Sequence, residues 1–315
     1  MKKQLRKQFS SLGWALLLYM LLMNLCVIVS CITELIGAAA QHGMQGGVSR
    51  DTLLSLLSDI LYGSGTGYLI SCVAGLLLLR IWKGRDFCRH TLWKKGRPMT
   101  FSAFFSLFTL FMGCQFVFTL LATFQEAILN LFGFSAISAL ENATSNADTF
   151  SMFLYAGLAA PVCEEILFRG LVLRTLEPWG KRFAVILSAF LFGIFHGNIV
   201  QTPYAFMAGI ILGYAALEFN IFWAMVLHMF NNLVFSDMLN RILPEGLCDF
   251  IPIFLMILFA VMGILSLILN RKKIRAYVRQ NPVNNRYVSC FFSSSGVIVL
   301  ILFMLYSIAQ SIIRI

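Results

Sequence analysis

The chain has 315 residues, of which 59% are hydrophobic and only 12% are charged. A soluble domain cannot bury so much apolar surface, and repeated apolar runs of about 17 to 25 residues are typical of helical membrane proteins. The formal charge of +10 does not indicate nucleic-acid binding, because the basic residues cluster at the ends of apolar runs. The sequence therefore predicts an all-α fold, a polytopic bundle of about eight or nine transmembrane helices.

Nine apolar runs are predicted as spans, and two amphipathic segments at 51–62 and 126–142 are predicted as helices of the connecting loops. The spans lie at residues 12–34, 66–82, 101–124, 150–173, 183–199, 203–218, 221–238, 251–270 and 290–310. The eight cysteines mostly lie inside these runs and predict no disulfide framework. Three regions follow, namely N-terminal spans and loops at 1–149, a core at 150–240 and C-terminal spans at 241–315.

The charges between the spans indicate an orientation. If successive connections between the spans lie on opposite sides of the membrane, 20 of the 24 Lys and Arg residues fall on one side. They lie at the N-terminus and at 80–97, 174–182 and 271–286. Cytoplasmic loops carry an excess of Lys and Arg, so the N-terminus is predicted to be cytoplasmic and the C-terminus to lie outside.

Ionisable and strongly polar side chains inside the core spans predict a functional site, because such groups are expensive to place in a bilayer. Three clusters occur: Glu164, Glu165 and Arg169 in the fourth span, His196 in the fifth, and His228 with Asn232 in the seventh.

Helical spacing separates the two glutamates. Glu165 and Arg169 are four residues apart, on one helical face and in the favourable order for an ion pair. Glu164 points about 100° away around the helix, so this pairing does not neutralise it. Glu165 is therefore predicted to be structural, and Glu164 is predicted to be free for general acid–base chemistry.

The depths of the clusters predict a shared polar cavity inside the bundle. At the rise of an α-helix, Glu164 lies roughly 15 Å from the cytoplasmic end of its span. His196 lies roughly 20 Å from the first residue of its own span. By the same measure, His228 and Asn232 lie roughly 10 and 16 Å from the first residue of their span. These side chains could activate water and stabilise an oxyanion for amide hydrolysis. Two alternatives are a zinc ion held by His196, His228 and a carboxylate, and a nucleophilic Cys163.

The motifs Glu164-Glu165-xxx-Arg169, Phe192-xxx-His196 and His228-xxx-Asn232 resemble, in order and spacing, those of the CPBP family. This family includes the type II CAAX prenyl endopeptidases and the bacteriocin-processing or self-immunity proteins, also called the Abi family. The resemblance covers about residues 150–240. It implies an intramembrane glutamate protease without a metal or other cofactor.

The resemblance also implies roles for the residues. Glu164 would activate water with His196 beside it, His228 and Asn232 would bind the oxyanion, and Glu165 and Arg169 would support them. The expected partners are the bilayer and a membrane-associated peptide or a lipidated protein, such as a prenylated CAAX tail or the leader of a secreted peptide. A non-catalytic role in bacteriocin immunity or in regulating a membrane sensor is the alternative from another functional class. The oligomeric state is left open.

Overall fold

Helices make up nearly all of the described chain, which confirms the predicted all-α fold. The computed structural model describes residues 2–44, 49–137, 149–235, 243–247 and 250–315. The helices are α1 (Lys2–Met44), α2 (Arg50–Gly63), α3 (Thr66–Asp86, continued by a π turn at Phe87–Thr91), α4 (Phe101–Leu131), α5 (the consecutive segments Phe150–Leu154, Tyr155–Ala159, Ala160–Glu165, Ile166–Val172 and Leu173–Leu176), α6 (Lys181–Phe195), α7 (Gln201–Glu218), α8 (Ile221–Phe235), α9 (Phe250–Gln280), α10 (Asn285–Phe292) and α11 (Ser295–Gln310). Short 3-10 turns lie at Glu177–Trp179 and Glu245–Leu247, and the two-residue strands β1 (Phe134–Ser135) and β2 (Ile313–Arg314) pair antiparallel.

The long helices present an apolar surface to the surroundings. Within the described ranges, four helices are long and apolar enough to cross a membrane: Lys2–Gln41, Thr66–Thr91, Phe101–Leu131 and Phe250–Gln280. Large apolar side chains such as Leu18, Ile81 and Leu269 stay exposed on them. A water-soluble protein rarely exposes such continuous apolar surface, whereas contact with lipid tails requires it.

The interior of the bundle is formed by α5 to α8, which are shorter or are divided by π turns. Every side chain of the segment Ile166–Val172 is buried. Helices α6 and α7 pack so closely that a Cβ on Gly209 would lie 2.9 Å from the Cα of Ala189. Small residues at such a crossing let two backbones approach each other inside a membrane bundle. The predicted core spans are therefore the ones that the protein buries.

Three predicted segments differ in extent from the helices of the structure. Helix α4 continues to Leu131, so the start of the segment 126–142 belongs to it, while 138–142 lie outside the described residues. Helix α9 continues through the basic residues to Gln280, because Lys and Arg favour a helix once it has begun.

The third difference concerns the last predicted span, 290–310, which is divided between α10 and α11 with a bend of 68°. The hydroxyls of Ser293 and Ser294 both bond to the carbonyl of Cys290. Such local bonds compete with the helical ones and favour a break. The predicted span 221–238 agrees with α8 as far as Phe235, and its last residues lie outside the described ranges.

A charged cluster joins the end of α5 to the loop before α4. Glu177 accepts hydrogen bonds from Lys94 at 2.8 Å and from Arg174 at 3.0 Å. Burial alone would raise the pKa of the Glu177 carboxyl, but the bonds from Lys94 and Arg174 outweigh burial and hold that pKa below its usual value. A lowered carboxyl pKa stabilises the folded state above the pKa of the unfolded chain, and this stabilisation disappears as the pH falls through the folded pKa.

We therefore expect Glu177→Gln to lower the apparent melting temperature of the purified protein at pH 7 by about 2 to 4 °C, the effect of roughly 1 kcal/mol. The difference from the wild type should narrow as the pH falls below about 4. Thermal unfolding in detergent over this pH range measures it. Asp59→Asn, which removes an exposed carboxylate, is the control. A difference that is independent of pH would show that the Glu177 charge does not contribute.

Candidate active site

The two glutamates lie in a short α-helical segment, Ala160–Glu165, between two π-helical segments. Pro161 explains the first of these, because a proline has no backbone N–H to donate to the carbonyl four residues earlier and its ring pushes that carbonyl away. The chain widens there into the π segment Tyr155–Ala159. Such π segments occur frequently at functional sites, and this pair places both glutamates in the middle of the bundle.

Glu165 and Arg169 form the predicted ion pair. Arg169 Nη1 lies 2.9 Å from Glu165 Oε1, and both side chains are fully buried. Arg169 Nη2 also donates to the carbonyl of Gly209 at 3.4 Å, which is accessible because glycine lacks a side chain. The prediction from the spacing of four residues is therefore confirmed, and the pair connects α5 to α7.

His228 of α8 brings the two glutamates into one cluster. Its Nδ1 lies 2.9 Å from Glu165 Oε1, and its Nε2 lies 3.7 Å from Glu164 Oε2. A carboxylate can only accept, so Nδ1 donates its hydrogen to Glu165. This bond fixes the orientation of the imidazole and directs Nε2 towards Glu164.

Glu164 is the accessible carboxylate of the two. Its side chain is 28% exposed, whereas that of Glu165 is 0% exposed. Tyr19 of α1 and Tyr155 of α5 lie close enough to interact electrostatically with it. Glu164 can therefore meet water or a substrate inside the bundle, which Glu165 cannot.

His196 lies at the end of α6, and the following residue explains why the helix stops there. Gly197 has a φ of +67°, the left-handed conformation that commonly terminates a helix. The His196 Nδ1 lies 2.9 Å from the carbonyl of Phe192, to which it donates, so Nε2 is the nitrogen free to accept a proton. His196 lies within electrostatic range of Glu164 and His228, although no hydrogen bond joins it to either in the described structure.

Asn232 lies one turn beyond His228 on α8, as the spacing of four residues predicts. Its Nδ2 donates to the carbonyl of Ala156 at 2.9 Å, and its Oδ1 accepts from Asn231 at 3.3 Å. Asn232 therefore bonds to the first π segment of α5 and not to the carboxylates.

The sequence motifs include Phe192 but did not reveal its part in the site. The Arg169 guanidinium lies 4.2 Å from the centre of its ring, and the rings of His196 and His228 contact it edge-on at 4.9 and 5.8 Å. Phe192 therefore contacts both histidines and covers the buried cation. Asn231, buried beside Asn232, is a second residue that the sequence reasoning missed. Its position in an apolar span was the available signal.

The zinc alternative has no matching set of ligands in the described ranges, where no three His, Cys, Asp or Glu side chains are arranged to hold a metal ion. In particular, Nδ1 of His228 is bonded to Glu165.

Cys163, the alternative nucleophile, is buried with 3% exposure, and its thiol lies near that of Cys72 on α3. We expect Cys163→Ala to retain peptide cleavage within about twofold of the wild type, because a buried thiol beside another thiol acts as a small apolar group. Initial rates on a fluorescence-quenched peptide measure this, with Cys72→Ala as the matched control. A loss as large as that caused by Glu164→Gln would instead identify a thiol mechanism.

Part of the chain matches a known protein family. Residues 146–234 match the family described as type II CAAX prenyl endopeptidase Rce1-like, over less than a third of the chain. No curated protein and no solved structure matches the chain. The matched region includes all the predicted site residues: Glu164, Glu165, Arg169, His196, His228 and Asn232. The predicted resemblance is thereby confirmed: residues 146–234 are similar to the type II CAAX prenyl endopeptidases of the Rce1-like family.

Proposed function

We propose that this protein is an intramembrane endopeptidase that hydrolyses one peptide bond of a membrane-associated peptide or a prenylated CAAX-type protein. The observation that supports this most directly is the position of His228 between two carboxylates of different character. Glu165 is buried and paired with Arg169, whereas Glu164 is partly exposed and free of that pair. A site with one structural and one accessible carboxylate suits general acid–base catalysis without a covalent intermediate.

Glu164 is the proposed base. It removes a proton from a water molecule while the water oxygen attacks the carbonyl carbon of the scissile bond. His196 assists by accepting a hydrogen bond from the same water through its free Nε2. The bond from Nδ1 to the Phe192 carbonyl supports this assignment, because it keeps Nε2 as an acceptor.

His228 and Asn232 are the proposed donors to the oxyanion that forms on the substrate carbonyl. In the imidazolium form of His228 both ring nitrogens carry hydrogen, so Nε2 donates to the oxyanion while Nδ1 donates to Glu165. Asn232 donates through the second N–H of its Nδ2, since the first is bonded to Ala156. Glu165 and Arg169 are positioning residues that hold the His228 ring.

The intermediate then collapses and the carbon–nitrogen bond breaks. Glu164 returns its proton to the departing amine, and the other hydrogen of the water stays on the new carboxylic acid, which ionises. Glu164 thus ends in its starting state, and every step uses groups of this chain and one water. The reaction needs no cofactor, and the substrate enters from the bilayer.

The test compares the membrane peptides of cells that carry wild-type protein with those of cells that carry Glu164→Gln. Uncut peptides should accumulate in the variant, and their sequences would distinguish a prenylated CAAX tail from a leader peptide. If the variant keeps the biological effect of the wild type and no peptide accumulates, the protein acts as a non-catalytic membrane partner and the proposal is wrong.

A further inference from the structure

A row of hydrogen-bonded amides leads from α4 to Asn232. Gln115 Nε2 lies 2.8 Å from both the Tyr204 hydroxyl and Asn231 Oδ1, and the Tyr204 hydroxyl lies 3.0 Å from that same Oδ1. Asn231 Nδ2 in turn donates to Asn232 Oδ1 at 3.3 Å. We infer that Gln115, Tyr204 and Asn231 are positioning residues that fix the direction of the Asn232 amide, an inference that rests on the proposed oxyanion role of Asn232.

The directions of the bonds follow from the chemistry of the groups. An amide oxygen only accepts and an amide nitrogen only donates, so two donors on Asn231 Oδ1 determine which way that side chain faces. Its Nδ2 must then point to Asn232, whose Oδ1 receives it. Asn232 is left with its Nδ2 towards Ala156 and with one N–H free. The amide row thus keeps a donor, and not an acceptor, at the place where the oxyanion would form.

The row also extends the site beyond the region that matches the protease family. Gln115 lies on α4, in the N-terminal part of the chain for which the sequence offered no role. Asn231 is buried, with 6% exposure, and Tyr204 and Gln115 are partly buried. Polar groups buried among apolar helices are costly unless their hydrogen bonds are made. A satisfied row of this kind holds its members in one arrangement.

Loss of this arrangement should lower turnover more than binding. We expect Gln115→Met to reduce kcat about tenfold to hundredfold, the effect of displacing a catalytic group by roughly 1 Å, with KM changed by less than about threefold. Tyr204→Phe keeps one of the two donors on Asn231 and should cost about threefold to tenfold in kcat. A loss of this kind, in kcat with KM retained, is not expected from general loosening of the fold.

Thr109→Val is the matched control on the same helix. Thr109 is buried like the amides, but its hydroxyl donates within α4 to the carbonyl of Ser106. This variant should keep wild-type kcat and KM. Melting temperatures of all variants in detergent show whether each one is folded. If Gln115→Met does not fold, Tyr204→Phe still tests the inference.

The experiment uses a fluorescence-quenched farnesylated CAAX peptide with the full-length protein in detergent. Peptides that accumulate with Glu164→Gln replace it if the wild type does not cut it. The decisive comparison places Gln115→Met in wild-type and Asn232→Ala backgrounds. If Gln115 acts through Asn232, the loss of kcat seen in the wild type should be absent in Asn232→Ala.

The possible failures are distinguishable. If Asn232→Ala lowers kcat but Gln115→Met does not, the positioning inference is wrong and the proposed function stands. Equal losses from Gln115→Met in both backgrounds would also overturn the inference, because Gln115 would then act independently of Asn232. Wild-type activity in Asn232→Ala would overturn the oxyanion role and the inference with it. A wild-type protein that cuts neither kind of peptide would overturn both.

Discussion

Glu164→Gln is expected to abolish peptide cleavage while the protein stays folded and inserted in the membrane. Glutamine keeps the size of the side chain but cannot take a proton from water, and loss of a general base typically costs about a hundredfold to ten-thousandfold in rate. The fold should tolerate the change, because Glu164 is partly exposed and does not belong to the buried pair of Glu165 and Arg169.

Initial rates on the quenched peptide and melting temperatures in detergent test both halves of this expectation. Glu126→Gln provides the matched control, since it makes the same chemical change on α4. Its remaining amide oxygen can still accept from the backbone N–H of Ala136, the bond that the carboxylate makes now. Cleavage by Glu164→Gln at the wild-type rate would refute the role of Glu164 as base.

Local helical geometry was sufficient to predict part of the site. The spacing of four residues predicted the bond between Glu165 and Arg169, because neighbours on one helical face meet whatever surrounds the helix. Helical rise also predicted that the glutamates and His228 lie at a common depth, and the bond of 2.9 Å from His228 to Glu165 agrees with it. Both predictions depend only on the position of each residue along its own helix.

Contacts between helices were not predictable in the same way. The ring of His228 could have pointed either nitrogen at either carboxylate, and the choice depends on its packing against Phe192 and Phe111. Gln115 reaches Asn231 across 116 positions of sequence, a separation that no periodic pattern reports. The π segments of α5 were also missed, because hydrophobic periodicity does not distinguish a π turn from an α turn over five to seven residues.

Glu165→Leu is expected to destabilise the protein by about 3 to 5 kcal/mol, since it leaves a buried guanidinium without its counter-charge. Arg169 is fully buried, and the other partners that the described residues offer its guanidinium are the Gly209 carbonyl at 3.4 Å and the Phe192 ring at 4.2 Å. Neither carries a negative charge. Thermal unfolding in detergent should show a fall in melting temperature on the order of 10 °C. A variant as stable as the wild type would mean that Arg169 reaches water or another anion.

The double variant Glu165→Leu/Arg169→Leu separates the stability of the pair from its function. Glu165 Oε2 and Arg169 Nε are buried without a hydrogen-bond partner in the described structure, so the pair does not fully repay the cost of burying its charges. Replacing both by apolar groups should therefore restore most of the stability that the single variant loses. Cleavage should stay low, because His228 would lack the carboxylate that binds its Nδ1 and fixes the direction of its Nε2. Recovery of stability together with cleavage would show that His228 does not need Glu165, and that the pair serves folding alone.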